Sequence, residues 1–512
     1  MAYSTLNRAW STSFSRLAAV DVDGRSSSLV RSGCIAPALF EYAPCSVTTL
    51  LGLYICSQTS LMAEASEKHD VLHTRDLESS TTSATPPPTV PVFPEGGTRA
   101  WLVLIGASCM FFSAFGSINS FGAYEDYYVQ GFLSNYTAGD ISWIGSVQLC
   151  LQAGVGLLSG AAFDRGYFHQ AVGLGSILFV FCMFMLSLAQ PMQYYQVFLS
   201  QGIGVGIGLG LIFVPTISVI SHYFARRRAL AVGLTFAGSS VGGVVLPIMV
   251  NRFLNGRVGF GNGVRAHAGV IAGKFMLLIG NLLMRPRPRH EIQVAKRTMP
   301  DIKAYVKDKP YMITVVSAFF VQSGLFFPLV YLQLDARQHG VPSDFAFYLL
   351  AILNGASFFG RIAPNFLADK FGVFKVQIFT AAACSFIVLG MLGITNSGKA
   401  GVGIIAGLYG FFSGANLSLL GPLVAELSPS MQELGARTGF LYIFAGIASL
   451  LGNPVSGWLL TSQYHWWRAI LWSVLTLQAS VWLLVLADYL RVRRGKQKIS
   501  KANHSVEGKF SQ

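Results

Sequence analysis

One arginine stands where an apolar stretch tolerates few charges. Arg361 lies inside the run Phe345 to Ala368, eight residues before Asp369. On a helix rising 1.5 Å per residue, that places it roughly 12 Å from the end of the run. A cation at such depth costs on the order of 2.5–3.5 kcal/mol on insertion scales. Its side chain therefore either snorkels to the interface or faces a wet cavity or an anion. We read it as a cationic anchor for an anionic small molecule. Two further charged pairs, Asp164-Arg165 and Asp369-Lys370, each follow an apolar run at a tight turn. Singly they are ordinary turn residues; their repetition points to charge clamps at one end of a bundle. Lys274 and His267 share a weakly apolar stretch and read as a snorkelling lysine and an interface histidine. Glu426 reads as a helix-end acid paired with a base.

Other chemistries find no footing. Cys109, Cys150, Cys182 and Cys384 sit inside apolar runs, and Cys34, Cys45 and Cys56 near the start, with no disulfide or zinc spacing. The stretch Gly269 to Lys274 lacks the spacing and Ser/Thr of a phosphate-cradling loop. No polar catalytic cluster, metal or cofactor is expected.

The elements that must position Arg361 are membrane spans. Hydrophobic residues make up 52% of the chain and charged residues 12%, against roughly 25% charge in soluble proteins. Such a chain cannot cover its surface with polar groups, so a lipid bilayer is its surroundings. A span needs about 20 apolar residues. Twelve such stretches follow from Trp101: Trp101–Tyr124, Ile141–Phe163, two within 170–225, Ala229–Val250, Ala266–Met284, Tyr311–Leu334, Phe345–Ala368, Val376–Thr395, Gly401–Ala425, Thr438–Leu460 and Ala469–Ala487. The alternating Gly202, Gly204, Gly206, Gly208 and Gly210 give small-residue spacing on two faces of the fourth.

With both termini on one side, the loops and tail of that side hold 23 Lys and Arg, Arg361 included, against 6 opposite. The excess predicts cytosolic termini. The net charge of +14 is thus a topology signal and not a nucleic-acid footprint. Asn135 begins a glycosylation sequon in the first outer loop. The expected order is a disordered cytosolic region 1–99, a six-helix bundle 100–284, a basic cytosolic linker 285–310, a second bundle 311–490 and a basic tail 491–512. Residues 1–61 read as a gene-model extension, Met62 being a natural start.

The halves echo one another. Asp164 and Asp369 are 205 apart, Pro215 and Pro422 are 207, Phe236-Ala237-Gly238 and Phe444-Ala445-Gly446 are 208, and Pro247 and Pro454 are 207. Duplicated parallel halves put a binding site between them near the midplane.

Several segments together resemble the major facilitator superfamily, in its fungal monocarboxylate-porter-like branch. They include Arg99-Ala100-Trp101, the run from Phe115 to Gly122, Ile141 to Ser146, Phe163 to Tyr167, Tyr223 to Ala231, Gly238 to Gly243 and Gly360-Arg361. The resemblance implies an all-α membrane fold of twelve transmembrane helices in two six-helix pseudo-repeats, working by alternating access. It also implies inner-gate positions at Asp164, Arg165, Asp369 and Lys370. Animal monocarboxylate porters attribute proton coupling to a Lys in the first span and an Asp–Arg pair in the eighth. The Arg matches Arg361, but the Asp position is Ser357 and the Lys position Asn119. That coupling mechanism is therefore not expected, and Asn119, Ser357 and Arg361 stand as substrate-binding candidates. The expected function is secondary transport of a small organic acid or amphipathic metabolite, with export of a fungal secondary metabolite favoured. The drive is an ion gradient or the substrate's own. Uptake of a carboxylate or vitamin is the alternative; a non-transporting nutrient sensor, a third reading, usually carries a long signalling tail. No enzyme activity, nucleic acid or obligate protein partner is expected. The cell membrane is the expected location, a vacuolar or other internal membrane the alternative.

Overall fold

The computed structural model describes residues 95–272, 277–286, 302–396, 398–430, 433–460 and 465–510. The expectations for residues 1–94, for Lys274 and for most of the 285–310 linker lie outside these. The described residues form twelve long helical elements: α1 (Thr98–Phe132), α2 (Ala138–Asp164), α3 (Phe168–Leu186), α4 (Tyr194–Ile220), α5 (Arg228–Leu254), α6 (Gly259–Ala272, then Leu277–Leu283), α7 (Lys309–Gln338), α8 (Ser343–Phe371), α9 (Val373–Gly390), α10 (Gly398–Leu427), α11 (Leu434–Leu460) and α12 (Trp466–Phe510). Among the described residues, ten helices are long and apolar enough to cross a membrane. The exceptions are α6, described as two shorter pieces, and α8, whose polarity includes Asn354, Arg361 and Asn365. The chain is a multi-pass membrane protein.

Helix periodicity is nearly absent because most helices meet protein on one side and lipid on the other, and both are apolar. Small residues therefore set the packing. Along α4, a Cβ on Gly206 or Gly210 would meet α2 at Gln148 and Val155. On Gly204 or Gly208 it would meet α3 at Cys182 and Phe179. The expected two-faced glycine ladder thus wedges α4 between α2 and α3. Pro215, Pro247, Pro422 and Pro454 all lie inside helices. Neighbouring helices can satisfy the backbone groups that proline frees in a bilayer.

The packing repeats. Helix α1 packs on α5 and α2 on α4 in the first half; α7 packs on α11 and α8 on α10 in the second. Across the halves, α2 packs on α11 and α5 on α8, so the interface itself is two-fold. The residues read as a basic tail continue the last helix: α12 runs unbroken for 45 residues. At 1.5 Å per residue that is about 68 Å, roughly twice a hydrocarbon core, so its last turns project from the membrane.

Candidate functional site: a cavity between the halves

A cavity of about 100 Å³ lies between the halves. Helices α1, α2, α4 and α5 line it from one side, and α7, α8, α10 and α11 from the other; among the described residues, none of α3, α6, α9 or α12 reaches it. Its walls differ in chemistry. The first half contributes Phe115, Phe213 and Phe236, a packed aromatic group with centroids 5.5 Å apart for Phe115–Phe213 and 6.0 Å for Phe115–Phe236. The second half contributes Gln322, Asn354, Ser357, Arg361, Ser413 and Tyr442 beside the apolar Phe326 and Leu329, and the first half adds Asn119 and Gln152, so polar groups are weighted to the second half without being confined to it.

Arg361 is buried, with 7% of its surface exposed. Its Nη1 donates to the Phe236 carbonyl at 2.6 Å and to Ser239 Oγ, both on α5 across the interface. Its guanidinium carbon lies 5.8 Å from the Phe236 ring centroid. Nε is buried without a partner, and among the described residues no carboxylate pairs with the cation. A buried charge held only by neutral dipoles is electrostatically incomplete. One turn on, Asn365 Nδ2 donates to the Arg361 carbonyl at 2.8 Å and to Ser418 Oγ at 2.6 Å, tying α8 to α10.

Ser357 lines the cavity one turn before Arg361, buried against α10: a Cβ on Gly414 would lie 2.3 Å from its Oγ. Asn119 lies half-buried where the cavity meets a second, larger space of about 1050 Å³ at the ends of α1, α5, α7 and α8. Asn119 and Asn354 converge there on Gly243: an added Cβ would lie 3.0 Å from Asn119 Nδ2 and 2.8 Å from Asn354 Oδ1. The larger space is polar, with Glu125, Asp126, Arg252 and Arg337 in its walls.

The opposite end is shut by two matching contacts. Asp164, the last residue of α2, accepts from the backbone N–H of Gly435 at 3.0 Å and of Ala436 at 2.7 Å, at the start of α11. Asp369, near the end of α8, accepts from Ala229 N–H at 2.9 Å and Leu230 N–H at 2.8 Å, at the start of α5. Each carboxylate satisfies orphan donors of a helix in the opposite half and meets the positive end of its dipole. In both contacts the acid meets backbone N–H groups of the opposite half. Lys370 is exposed and lies over the Phe366 ring at 4.4 Å, and Arg165 is half-buried at the turn.

Two lead-in acids join this end, and the sequence reading missed both. Glu95 Oε1 accepts from Ala225 and Arg226 N–H at 3.0 and 2.6 Å, and Oε2 from Arg227 N–H at 3.3 Å, just ahead of α5. Gly97, with φ 86°, turns the chain from Glu95 into α1. An acid followed by Gly-Gly just before a span was the available signal. Asp308, before α7, pairs with Arg437 at 3.0 Å and Arg494 at 2.9 Å. Glu426 pairs with Arg491, as expected of a helix-end acid. His267 is a correction: it is fully buried and not interfacial, with Nδ1 2.9 Å from Tyr124 Oη. Asn135 is exposed in the α1–α2 loop, and Thr137 of its sequon caps α2, accepting from Asp140 N–H at 3.2 Å.

Two six-helix bundles enclosing a central cavity define a membrane carrier. A profile of the Major Facilitator Superfamily matches residues 101–409, and the chain belongs to that family. It is 34% identical over 416 residues to the aspyridones efflux protein apdF of Emericella nidulans, covering 81% of this chain and 83% of that protein. It is 37% identical over 368 residues to the MFS transporter asaE of Aspergillus flavus, covering 72% and 81%. It is 33% identical over 418 residues to the agnestins efflux protein AgnL12 of Paecilomyces divaricatus, covering 81% and 92%. In fold it is similar to the E. coli fucose:proton symporter FucP, with a TM-score of 0.58 at 14% identity over 74% of this chain and 97% of that one. The chain is thus a superfamily transporter acting on a small molecule within the membrane.

Proposed function

We propose that the protein exports an amphipathic organic acid by alternating access, with the acid group on Arg361 and the hydrophobic body against the Phe115, Phe213 and Phe236 wall. The observation that carries this reading is the buried Arg361: a cation lining the cavity between the halves, with an unpartnered Nε and no carboxylate beside it among the described residues. A bound anion supplies that missing partner through a charge-assisted hydrogen bond. Asn119 and Ser357 line the same path and contact the substrate as it passes. Efflux, rather than uptake, is supported by the relatives named for efflux of aspyridones and agnestins.

The orientation belongs to the same proposal. Both termini lie in the cytosol of a cell-membrane protein, as the excess of basic residues on that side supports. Asp164 and Asp369 then shut the cytosolic end, and the space at Glu125 and Arg252 faces outward, with Asn135 available for glycosylation. Metabolite profiling of a deletion strain, cells and medium separately, tests the reading. One or more acidic compounds should leave the medium and accumulate in cells, and re-expression should reverse both. Acids unchanged in the medium would overturn it.

A further inference from the structure

Two residues that line the cavity each bury a polar atom without a hydrogen-bond partner: Gln322 Oε1 on α7 and Tyr442 Oη on α11. Their residues are 7% and 6% exposed. The Tyr442 ring is held edge-on against Phe213, centroids 4.7 Å apart, so its hydroxyl is fixed in place rather than free to seek a partner. Leaving a buried polar atom unpaired is costly, and folded interiors seldom do so. Two such atoms at one small cavity, beside the unpartnered Arg361 Nε, describe the complement of a ligand. Gln322 Oε1 can only accept, so that ligand must bring a donor. Tyr442 Oη can donate to, or accept from, the group that carries it.

We propose that Gln322 and Tyr442 determine specificity at the acid site by reading a neutral hydroxyl or N–H borne on the same scaffold as the acid. The substrate class is then an amphipathic acid carrying one such donor. Its apolar body meets the phenylalanines of the first half and its polar groups meet the second half. This rests on the acid reading above, because the same cavity holds both groups.

The test uses the full-length protein in lipid nanodiscs, with benzoate, 3-hydroxybenzoate and the methyl esters of both as probes, their affinities read by saturation-transfer NMR. Wild type should bind 3-hydroxybenzoate about five- to tenfold more tightly than benzoate, as one added hydrogen bond allows. Tyr442→Phe and Gln322→Leu keep nearly the same volume. Each should cut that preference to about twofold or less. Both variants should reach wild-type abundance and elute as a single peak on gel filtration, which serves as the control for folding. A hydroxyl preference kept by the esters, with no preference for acids over esters, would overturn the acid reading and leave the Gln322–Tyr442 pair standing. Equal binding of plain and hydroxylated probes by wild type, or a preference unchanged in both variants, would overturn the pair. Binding of none of the four would overturn both.

Discussion

The carboxylate at the end of α2 and the one at the end of α8 do the same thing. Asp164 caps α11 through Gly435 and Ala436, and Asp369 caps α5 through Ala229 and Leu230. The close approaches behind them match as well. A Cβ on Gly439 of α11 would lie 2.6 Å from the Gly156 carbonyl of α2, and a Cβ on Gly233 of α5 would lie 2.1 Å from the Arg361 carbonyl of α8. Gly156 and Arg361 are 205 positions apart, the same offset as the two aspartates. So are Gly160 and Asn365. The duplicated helices thus keep a common backbone at the interface. In the second half, two positions that are glycine in the first carry a cation and an amide. A two-fold frame lets either side open or close with similar chemistry. A one-sided set of side chains lets the cavity hold an oriented, amphipathic molecule.

Breaking the asymmetric part should have the largest effect. Arg361→Ala should lower export of the retained acid by about one to two orders of magnitude, the range for loss of a charge-assisted hydrogen bond. Its abundance in the membrane should stay near wild type, as a surface-labelled immunoblot would check. An equal loss for neutral compounds would make Arg361 structural.

The symmetric part should respond symmetrically and less. Gly233→Ala and Gly439→Ala each place a methyl against backbone, which cannot move aside as a flexible side chain can. Each should weaken closure of the Asp164–Asp369 end by about 1–3 kcal/mol, the range for overpacking. Faster modification of a Ser413→Cys reporter by a membrane-impermeant maleimide from that side would report it. A large difference between the two would break the two-fold account.

Asp164→Asn and Asp369→Asn keep the shape but remove the charge and leave one acceptor oxygen for two backbone donors. Each should raise the reporter's accessibility by the equivalent of about 1 kcal/mol, the usual scale of a helix-end contact, and the two effects should be equal. The smallest change is expected for Glu95→Gln. Its single oxygen still accepts from Ala225 and Arg226 N–H and only the longest contact, Arg227 N–H at 3.3 Å, is lost, so export should fall less than about threefold, in line with a net hydrogen-bond loss under 1 kcal/mol.

Much of this architecture was legible in the chain. Apolar run length located the helices because a bilayer admits few other solutions. Offsets of 205 to 208 exposed the duplication before any packing was known. Arg361 stood out because charge is costly in lipid. The partners of that charge were not legible. Ser239 and the Phe236 carbonyl come from α5, over a hundred residues away, and nothing local marks them. The two aspartates stood out by their repetition, but their partners did not, because backbone N–H groups at a helix start leave no mark on composition. Tyr442, Gln322 and His267 look like ordinary span residues, and only the helix rotation shows which polar atoms face a cavity and which face protein. Hydropathy changes near Arg491 while helix propensity does not, so α12 continues as helix past the apolar run.

The account stands on an acid seated between unlike walls. Cryo-electron microscopy of the full-length protein in nanodiscs, with the compound a deletion strain retains, would test it directly. The account predicts the acid group within hydrogen-bonding distance of Arg361 Nε and the body of the molecule against Phe213 and Phe236. Density seated elsewhere, or an Arg361 side chain turned away from an occupied cavity, would contradict it.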